Sequence, residues 1–170
     1  KEYEIYNRFT PEVYYFGHPL ISLINDDAIN SKYNKKTIIS LFPGSREHEI
    51  DLILPKMIEA LKVLNKTDPD RFIFHIKPAS KEFLRIIIKK LKELKFPLLR
   101  IWDMEDKNIF ECSDLILAAA GSTSLEAVLH KKPTIVLGAL SKFTYFIASK
   151  IMKINLKYYA LPNYLLGKKI

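Results

Sequence analysis

The segment from Ser40 to Ile50 reads SLFPGSREHEI and brings a glycine, a serine and an arginine together where an apolar run ends. Gly44 lets the backbone approach a ligand closely, and Ser45 can cap the next helix or donate to a phosphate oxygen. Arg46 carries a planar guanidinium suited to a diphosphate, beside a helix N-terminus that favours anions. The helix dipole is already complemented by first-turn acids: Glu47, Glu49 and Asp51. A phosphate site and a plain helix cap with a solvated arginine are therefore both open.

A second junction of this kind lies at residues 118–133, where small residues end an apolar run and a helical pattern follows. Gly121, Ser122 and Thr123 form a donor-rich turn that could hold phosphates, and Glu126 could accept hydrogen bonds from ribose hydroxyls. Thr123 and Glu126 also have capping-box spacing, which alone would explain both as structural. Neither junction contains a Walker Gly-Lys-Ser/Thr or a Gly-x-Gly-x-x-Gly pattern, so ordinary nucleotide motifs are disfavoured.

Three other residues are candidates for chemistry because of their residue type. Asn163 follows Leu161-Pro162 after a strand-like run, so it is either a turn residue or part of a site at that edge. His18 has no other histidine at ligand spacing, and Cys112 has no partner spacing for a metal or redox motif. We therefore expect no metal and no cofactor, and an inert thiol at Cys112.

Composition narrows the class of protein. The 170 residues are 48% hydrophobic and 27% charged, which suits one globular domain, and the formal net charge of +8 favours an anionic partner. No uncharged apolar run approaches the ~18 residues that span a bilayer, and no zinc finger, RNA-binding signature or clear helix-turn-helix indicates nucleic acid. Two basic amphipathic segments occur, and the aromatic one at Phe143–Lys153 is the better candidate for contact with an anionic membrane.

Alternating apolar and amphipathic runs must position these residues. Strands are predicted at Val13–Phe16, Thr37–Phe42, Arg71–Lys77, Leu98–Trp102, Leu115–Ala119, Thr134–Leu137 and Lys157–Leu161. Helices are predicted at Glu47–Leu64, Lys81–Lys95, Lys107–Cys112, Thr123–His130 and Phe143–Lys153. This order predicts an α/β fold, a Rossmann-like parallel sheet with helices on both faces. Ligands bind beyond the carboxyl ends of such strands, so the loops to watch follow Phe42, Lys77, Trp102, Ala119, Leu137 and Leu161.

Several motifs occur together in one known family. The segments GHPL (17–20), LFPGSREHEI (41–50), AAGSTSLEAVL (119–129), FTYFIA (143–148) and LPNYLLGKK (161–169) resemble lipid-A-disaccharide synthases, in the same order. The resemblance implies an inverting glycosyltransferase of two Rossmann-like domains. Such an enzyme joins UDP-2,3-diacylglucosamine to 2,3-diacylglucosamine 1-phosphate (lipid X), which gives lipid A disaccharide 1-phosphate and UDP. It also implies a Gram-negative-type bacterium and a cytoplasmic location peripheral to the inner membrane.

The resemblance assigns roles to individual residues. Arg46 matches the arginine of the family's Gly-Ser-Arg motif near the diphosphate, and Asn163 matches the asparagine of its Leu-Pro-Asn motif. The family's UDP-site stretch is matched by Gly121, Ser122 and Glu126. The family usually has Ser-Gly-Thr where this chain has Ala-Gly-Ser at 120–122, and Tyr-Arg where it has Gly-Ala at 138–139. A basic contact from that second position is therefore not expected here.

The resemblance also predicts domain organisation. Residues 1–17 would be a connector from a missing amino-terminal domain, and residues 18–170 a carboxy-terminal UDP-sugar-binding domain that is truncated at its end. The acceptor site and the catalytic base would lie in the missing domain, so this chain alone would be inactive. Two alternatives remain: an enzyme acting on another UDP-sugar, such as an epimerase or a peptidoglycan-type transferase, and a non-enzymatic module that binds phosphate or membrane.

Overall fold

The computed structural model describes residues 2–14, 16–17, 36–104, 106, 108–138 and 160–168. Within these ranges the strands are β1 (Thr37–Phe42), β2 (Phe72–Ile76), β3 (Leu99–Ile101), β4 (Leu115–Ala119) and β5 (Thr134–Leu137). The helices are α1 (Glu2–Tyr6), α2 (Glu47–Thr67), α3 (Lys81–Leu94), α4 (Ile109–Cys112), α5 (Ser122–Leu129) and α6 (Leu161–Leu166).

The described strands form one parallel sheet in the order β3-β2-β1-β4-β5. Leu41 of β1 lies opposite Ile76 of β2 on one side and Leu117 of β4 on the other. From β1, the strands β2 and β3 are added in turn on one side. The chain then crosses over, and β4 and β5 are added in turn on the other side of β1. The direction of winding therefore reverses between β1 and β4, and an open α/β sheet has its ligand crevice at such a reversal.

Helices cover both faces of the sheet, as the sequence predicts. In β4, Leu117 and Ala119 belong to a core cluster with α2 and α3, whereas Ile116 and Ala118 belong to a second cluster with α4 and α5. Successive strand residues point to opposite faces, so the two clusters lie on opposite sides of the sheet. The α/β, Rossmann-like fold class is confirmed.

Helix α2 carries an apolar stripe along one face. Its buried residues recur three and four positions apart, which places them on one face of the helix: Ile50, Ile53, Leu54, Met57, Ile58 and Leu61. Helix α3 begins after Ser80, whose hydroxyl accepts a hydrogen bond from the main-chain N–H of Phe83 at 3.5 Å. The Lys90 ammonium lies 2.7 Å from the Asp51 carboxylate and links the exposed edges of α2 and α3.

The predicted elements outside this sheet have different outcomes. The strand predicted at Val13–Phe16 is wrong, because Val13, Tyr14 and Phe16 are not in a strand and the two aromatic side chains are 74% and 93% exposed. Among the described residues the sheet consists of β1 to β5 and does not include this run, and a strand without a neighbour leaves its main-chain hydrogen bonds incomplete. The strand predicted at Lys157–Leu161 is wrong at its end, because Leu161 begins α6, where Pro162 has the φ that a first helical turn needs. Residues 157–159 and the helix predicted at Phe143–Lys153 lie outside the described residues.

His75 is a buried, titratable side chain in the middle of the sheet. It is 7% exposed, and its ring centroid lies 4.8 Å from that of Trp102. Its Nδ1 atom has no hydrogen-bond partner among the residues that the structure describes. Burial lowers the pKa of His75 below its ordinary 6.5, and the positive charge of Arg100, opposite it on β3, lowers that pKa further.

The lowered pKa of His75 predicts a loss of stability in mild acid. Below about pH 6.5 the unfolded chain binds a proton that the folded chain resists, so the free energy of unfolding falls as pH decreases. Urea titrations from pH 7.5 to 5 should show this fall, and His75→Phe should reduce its slope. The exposed His48, replaced by Gln, is the matched control and should keep the wild-type slope. Equal slopes for His75→Phe and the wild type would contradict the prediction.

Candidate functional site

A pocket of about 400 Å³ lies at the carboxyl edge of the sheet, where β1 and β4 end side by side. Its walls come from the loops after β1, β2, β3 and β4 and from the helices α2, α4 and α5. The lining residues are Phe42, Gly44, Ser45, Arg46, Glu49, Lys77, Pro78, Ala79, Met104, Phe110, Ala119, Ala120, Gly121, Ser122, Thr123 and Glu126. Two segments that lie 75 residues apart in the sequence, at Arg46 and Gly121, thus form one site.

The loop after β1 turns sharply at Gly44, whose φ of +125° is a conformation that residues with a side chain rarely adopt. Arg46 is the N-cap residue of α2 and has an extended backbone. Of the two roles left open for Ser45, the helix cap is excluded, because Arg46 is the N-cap residue and α2 has no side-chain cap hydrogen bond. The main-chain N–H of Ser45 donates to Glu49 Oε2 at 3.1 Å. Glu49 Oε1 lies 2.7 Å from Arg46 Nη1, so this carboxylate contacts both residues of the loop.

The loop after β4 leads directly into α5. Gly121 is the N-cap residue, and its extended backbone, with φ of 172°, is available to any residue. The capping-box alternative for Thr123 and Glu126 is excluded, because helix α5 starts at Ser122 and places Thr123 inside its first turn. The hydroxyl of Ser124 donates to the Gly121 carbonyl at 2.6 Å. Thr123, in the first turn of α5, and Glu126, three residues further along the helix, both line the pocket. The first main-chain N–H groups of a helix have no acceptor within it.

Lys77 is a pocket residue that was not among the candidates. It directly follows β2, and its ammonium donates to the main-chain oxygen of Asp106 at 2.5 Å. Ligands bind beyond the carboxyl ends of parallel strands, and the loop after Lys77 is one of the loops at that edge. A lysine at the end of a predicted strand could therefore have been recognised as a candidate for the site. Met104, from the loop after β3, also lines the pocket.

An aromatic wall closes one side of the pocket. Phe42, at the end of β1, stacks on Phe110 of α4 with ring centroids 5.0 Å apart. Phe110 also stacks on His130, and His130 Nδ1 lies 2.9 Å from Glu111 Oε1, so α4 is fixed to the end of α5. Cys112 of α4 is half-buried, and burial raises its pKa, with Asp106 and Glu111 adding to the rise. The thiol is therefore protonated at neutral pH, which fits the predicted inert role.

The structure brings most of the candidate residues together. The pocket includes Gly44, Ser45, Arg46, Gly121, Ser122, Thr123 and Glu126. Asn163 is not among the lining residues in the part of the chain that the structure describes; it lies in the first turn of α6, a helix that contacts α5. Its role in binding stays a prediction from the motif.

Neither a metal site nor a membrane-spanning helix is evident among the described residues. No group of three His, Cys, Asp or Glu side chains within them is arranged to hold a metal ion. No helix within the same ranges is long and apolar enough to cross a membrane.

Comparison with known proteins adds to this geometry. A family model described as lipid-A-disaccharide synthetase matches residues 1–170. The chain belongs to this family. It is similar to the lipid-A-disaccharide synthase of Sulfurihydrogenibium sp. (strain YO3AOP1), with 33% identity over 99% of this chain and 48% of that protein. The synthase of Acinetobacter baylyi is 31% identical over 99% of this chain and 46% of that protein. The synthase of Wigglesworthia glossinidia brevipalpis is 32% identical over 99% of this chain and 45% of that protein.

The chain thus spans about half the length of these curated relatives of the lipid-A-disaccharide synthetase family. Membership of the family agrees with the resemblance that the motifs carry. The boundary at residue 17 and the assignment to the carboxy-terminal half of a family member stay predictions.

The two glycines of the site differ in a way that mutation can test. A Cβ atom on Gly44 would lie 2.6 Å from Glu49 Oε2 and 2.8 Å from Glu49 Cβ, whereas one on Gly121 would meet no atom within 4 Å. Gly44→Ala should therefore lower the free energy of unfolding by about 1–3 kcal/mol through strain and displacement of Glu49. Gly121→Ala, the matched control, should change it by less than about 1 kcal/mol. Equal losses in urea titrations would contradict this difference.

Proposed function

We propose that this chain is the nucleotide-sugar-binding part of a glycosyltransferase of lipid A synthesis. The donor would be UDP-2,3-diacylglucosamine and the acceptor 2,3-diacylglucosamine 1-phosphate, with lipid A disaccharide 1-phosphate and UDP as products. The observation that carries the proposal is one pocket, at the reversal of the sheet, that joins Arg46 to the start of α5. Family membership and the names of the relatives supply the substrate class.

The pocket offers different groups to the two ends of a UDP moiety. Arg46 and the N-terminal turn of α5 would hold the diphosphate, because a guanidinium and partner-free helix N–H groups both favour phosphate oxygens. Gly44 and Gly121 keep the backbone open beside it, and Ser45, Ser122 and Thr123 would supply hydroxyl or main-chain donors. Glu126 would accept hydrogen bonds from ribose hydroxyls.

The chemical step needs stabilisation of the leaving group. As the bond between the anomeric carbon and the diphosphate breaks, the electron pair stays on the phosphate oxygen and UDP gains negative charge. Arg46 and the donors around it would stabilise that charge in the transition state more than in the ground state, which lowers the barrier. The acceptor 6-hydroxyl attacks the anomeric carbon and loses its proton to a general base, which we expect in the other domain of the full-length protein.

The acylated substrates bear on where the protein works. Diacylated sugars lie in a membrane, so a domain that takes its donor from there would work at the cytoplasmic surface of the inner membrane as a peripheral protein. The formal net charge of +8 would favour an anionic lipid surface.

Removal of the Arg46 guanidinium should weaken binding of the diphosphate specifically. We expect Arg46→Ala to raise the Kd for UDP about 10–100-fold, the equivalent of one charge-assisted interaction, and to leave the Kd for uridine unchanged. In the full-length enzyme the same change should lower kcat about 10²–10³-fold. Arg85→Ala, at an exposed arginine of α3, is the charge-matched control for titration calorimetry. Equal UDP affinity in Arg46→Ala and Arg85→Ala would refute the proposed role.

The Glu126 carboxylate should determine recognition of the ribose. We expect Glu126→Gln to raise the Kd for UDP about 5–10-fold, because a charged hydrogen-bond acceptor is lost. The wild type should prefer UDP to 2′-deoxy-UDP, and Glu126→Gln should reduce this preference. Glu59→Gln, at an exposed glutamate of α2, is the control. An unchanged preference in Glu126→Gln would place the ribose elsewhere.

A further inference from the structure

Glu49 is an acid in the wall of a pocket proposed to bind an anion, and its contacts show what holds it there. Its side chain is only 16% exposed, whereas the side chain of Arg46 is 68% exposed. One carboxylate oxygen, Oε1, lies 2.7 Å from Arg46 Nη1, and the other, Oε2, accepts the main-chain N–H of Ser45 at 3.1 Å. Both oxygens of a nearly buried carboxylate are thus used by two consecutive residues of the loop.

The glycine before these residues makes the arrangement possible. Glu49 Oε2 and Cβ occupy the space into which a Cβ atom on Gly44 would project, at 2.6 and 2.8 Å. The loop therefore folds closely over the Glu49 side chain, with Gly44 at a φ of +125°. The contact between the loop and Glu49 requires a positive φ and no side chain at Gly44. A carboxylate on an open surface requires neither, so the contact depends on having glycine at this position.

The carboxylate fixes Arg46 without using up its hydrogen-bonding capacity. A guanidinium has five N–H donors, and the ion pair with Glu49 engages one end of it, at Nη1. An exposed arginine would otherwise lose substantial side-chain freedom when it binds a ligand. Because Glu49 holds Arg46 beside the pocket, the arginine side chain loses part of its conformational freedom when the chain folds and not when a ligand binds. Supporting contacts of this kind position the groups that touch a ligand.

We propose that Glu49 is a positioning residue that acts through Arg46: it holds the guanidinium and the Gly44–Arg46 loop in the arrangement that takes the diphosphate of the nucleotide sugar. This inference rests on the proposed function. It opposes the simplest electrostatic expectation, in which a carboxylate near an anion site only repels the ligand. The two views predict opposite signs, because loss of the charge should strengthen binding if repulsion dominates and weaken it if positioning dominates.

The test is a set of titrations with UDP and uridine on the full-length protein that contains this chain. Glu49→Gln removes the ion pair but keeps an amide oxygen that can accept from Ser45, so the loop retains one of its two contacts. Glu47→Gln is the matched control, because Glu47 is exposed, lies in the first turn of α2 and carries the same charge. Arg46→Ala and the double variant Arg46→Ala/Glu49→Gln complete a double-mutant cycle.

We expect Glu49→Gln to raise the Kd for UDP about 5–10-fold, to leave the Kd for uridine unchanged, and to have no further effect in the Arg46→Ala background. Glu47→Gln should match the wild type or bind UDP slightly more tightly. Unchanged or tighter UDP binding by Glu49→Gln would overturn the inference, and so would an equal effect of Glu49→Gln with and without Arg46, since that would indicate a structural role only. A wild-type protein that binds no UDP would instead refute the proposed function, and this inference would fall with it.

Discussion

The parallel pairing of β1 with β4 is the constraint on which the candidate site depends. Leu41 lies opposite Leu117 and Phe42 opposite Ala118, so the two strands end within one residue of each other on the same edge of the sheet. The loop at Gly44 and the turn at Gly121 therefore line the same pocket. Each leads into a helix that begins at that edge, so the positive dipole ends of α2 and α5 both lie there.

The packing behind the pocket keeps this edge in place. The hydroxyl of Ser113 lies 2.6 Å from that of Ser40 in β1, and Asp114 Oδ2 accepts the main-chain N–H of Ile38 at 2.8 Å. These two contacts join the entry to β4 directly to β1. The stacked rings of Phe42 and Phe110 then place α4 against the same strand. The contacts that join β4 and α4 to β1 thus also fix the walls of the pocket. A ligand would therefore meet a largely preformed surface.

Features that follow from a periodic pattern of apolar residues could be predicted from the sequence. Features that depend on one side-chain contact or one backbone angle could not. Continuous apolar runs gave β1 and β4 with their observed bounds, and the strand-end rule led to Arg46, Gly121 and their neighbours. The N-cap residues of α2 and α5 could not be chosen from the sequence, because Arg46 and not Ser45 precedes α2 and a one-residue shift of the start of α5 moves Thr123 from the cap into the first turn. Glu49 was noted only as a dipole-complementing acid, since its contact depends on the backbone angle at Gly44.

The charges of the pocket explain why position should matter more than net attraction. Among the described lining residues, the cations Arg46 and Lys77 are matched by the acids Glu49 and Glu126, so the formal charges of these side chains cancel. A pocket of this kind does not concentrate anions by its side-chain charge alone, whatever the basic excess elsewhere on the chain. The proposed affinity for a diphosphate would have to come from donors aimed at the phosphate oxygens, and an arginine held by a carboxylate would be aimed in this way. The same balance suits a ligand with a neutral nucleoside at one end and a charged diphosphate at the other.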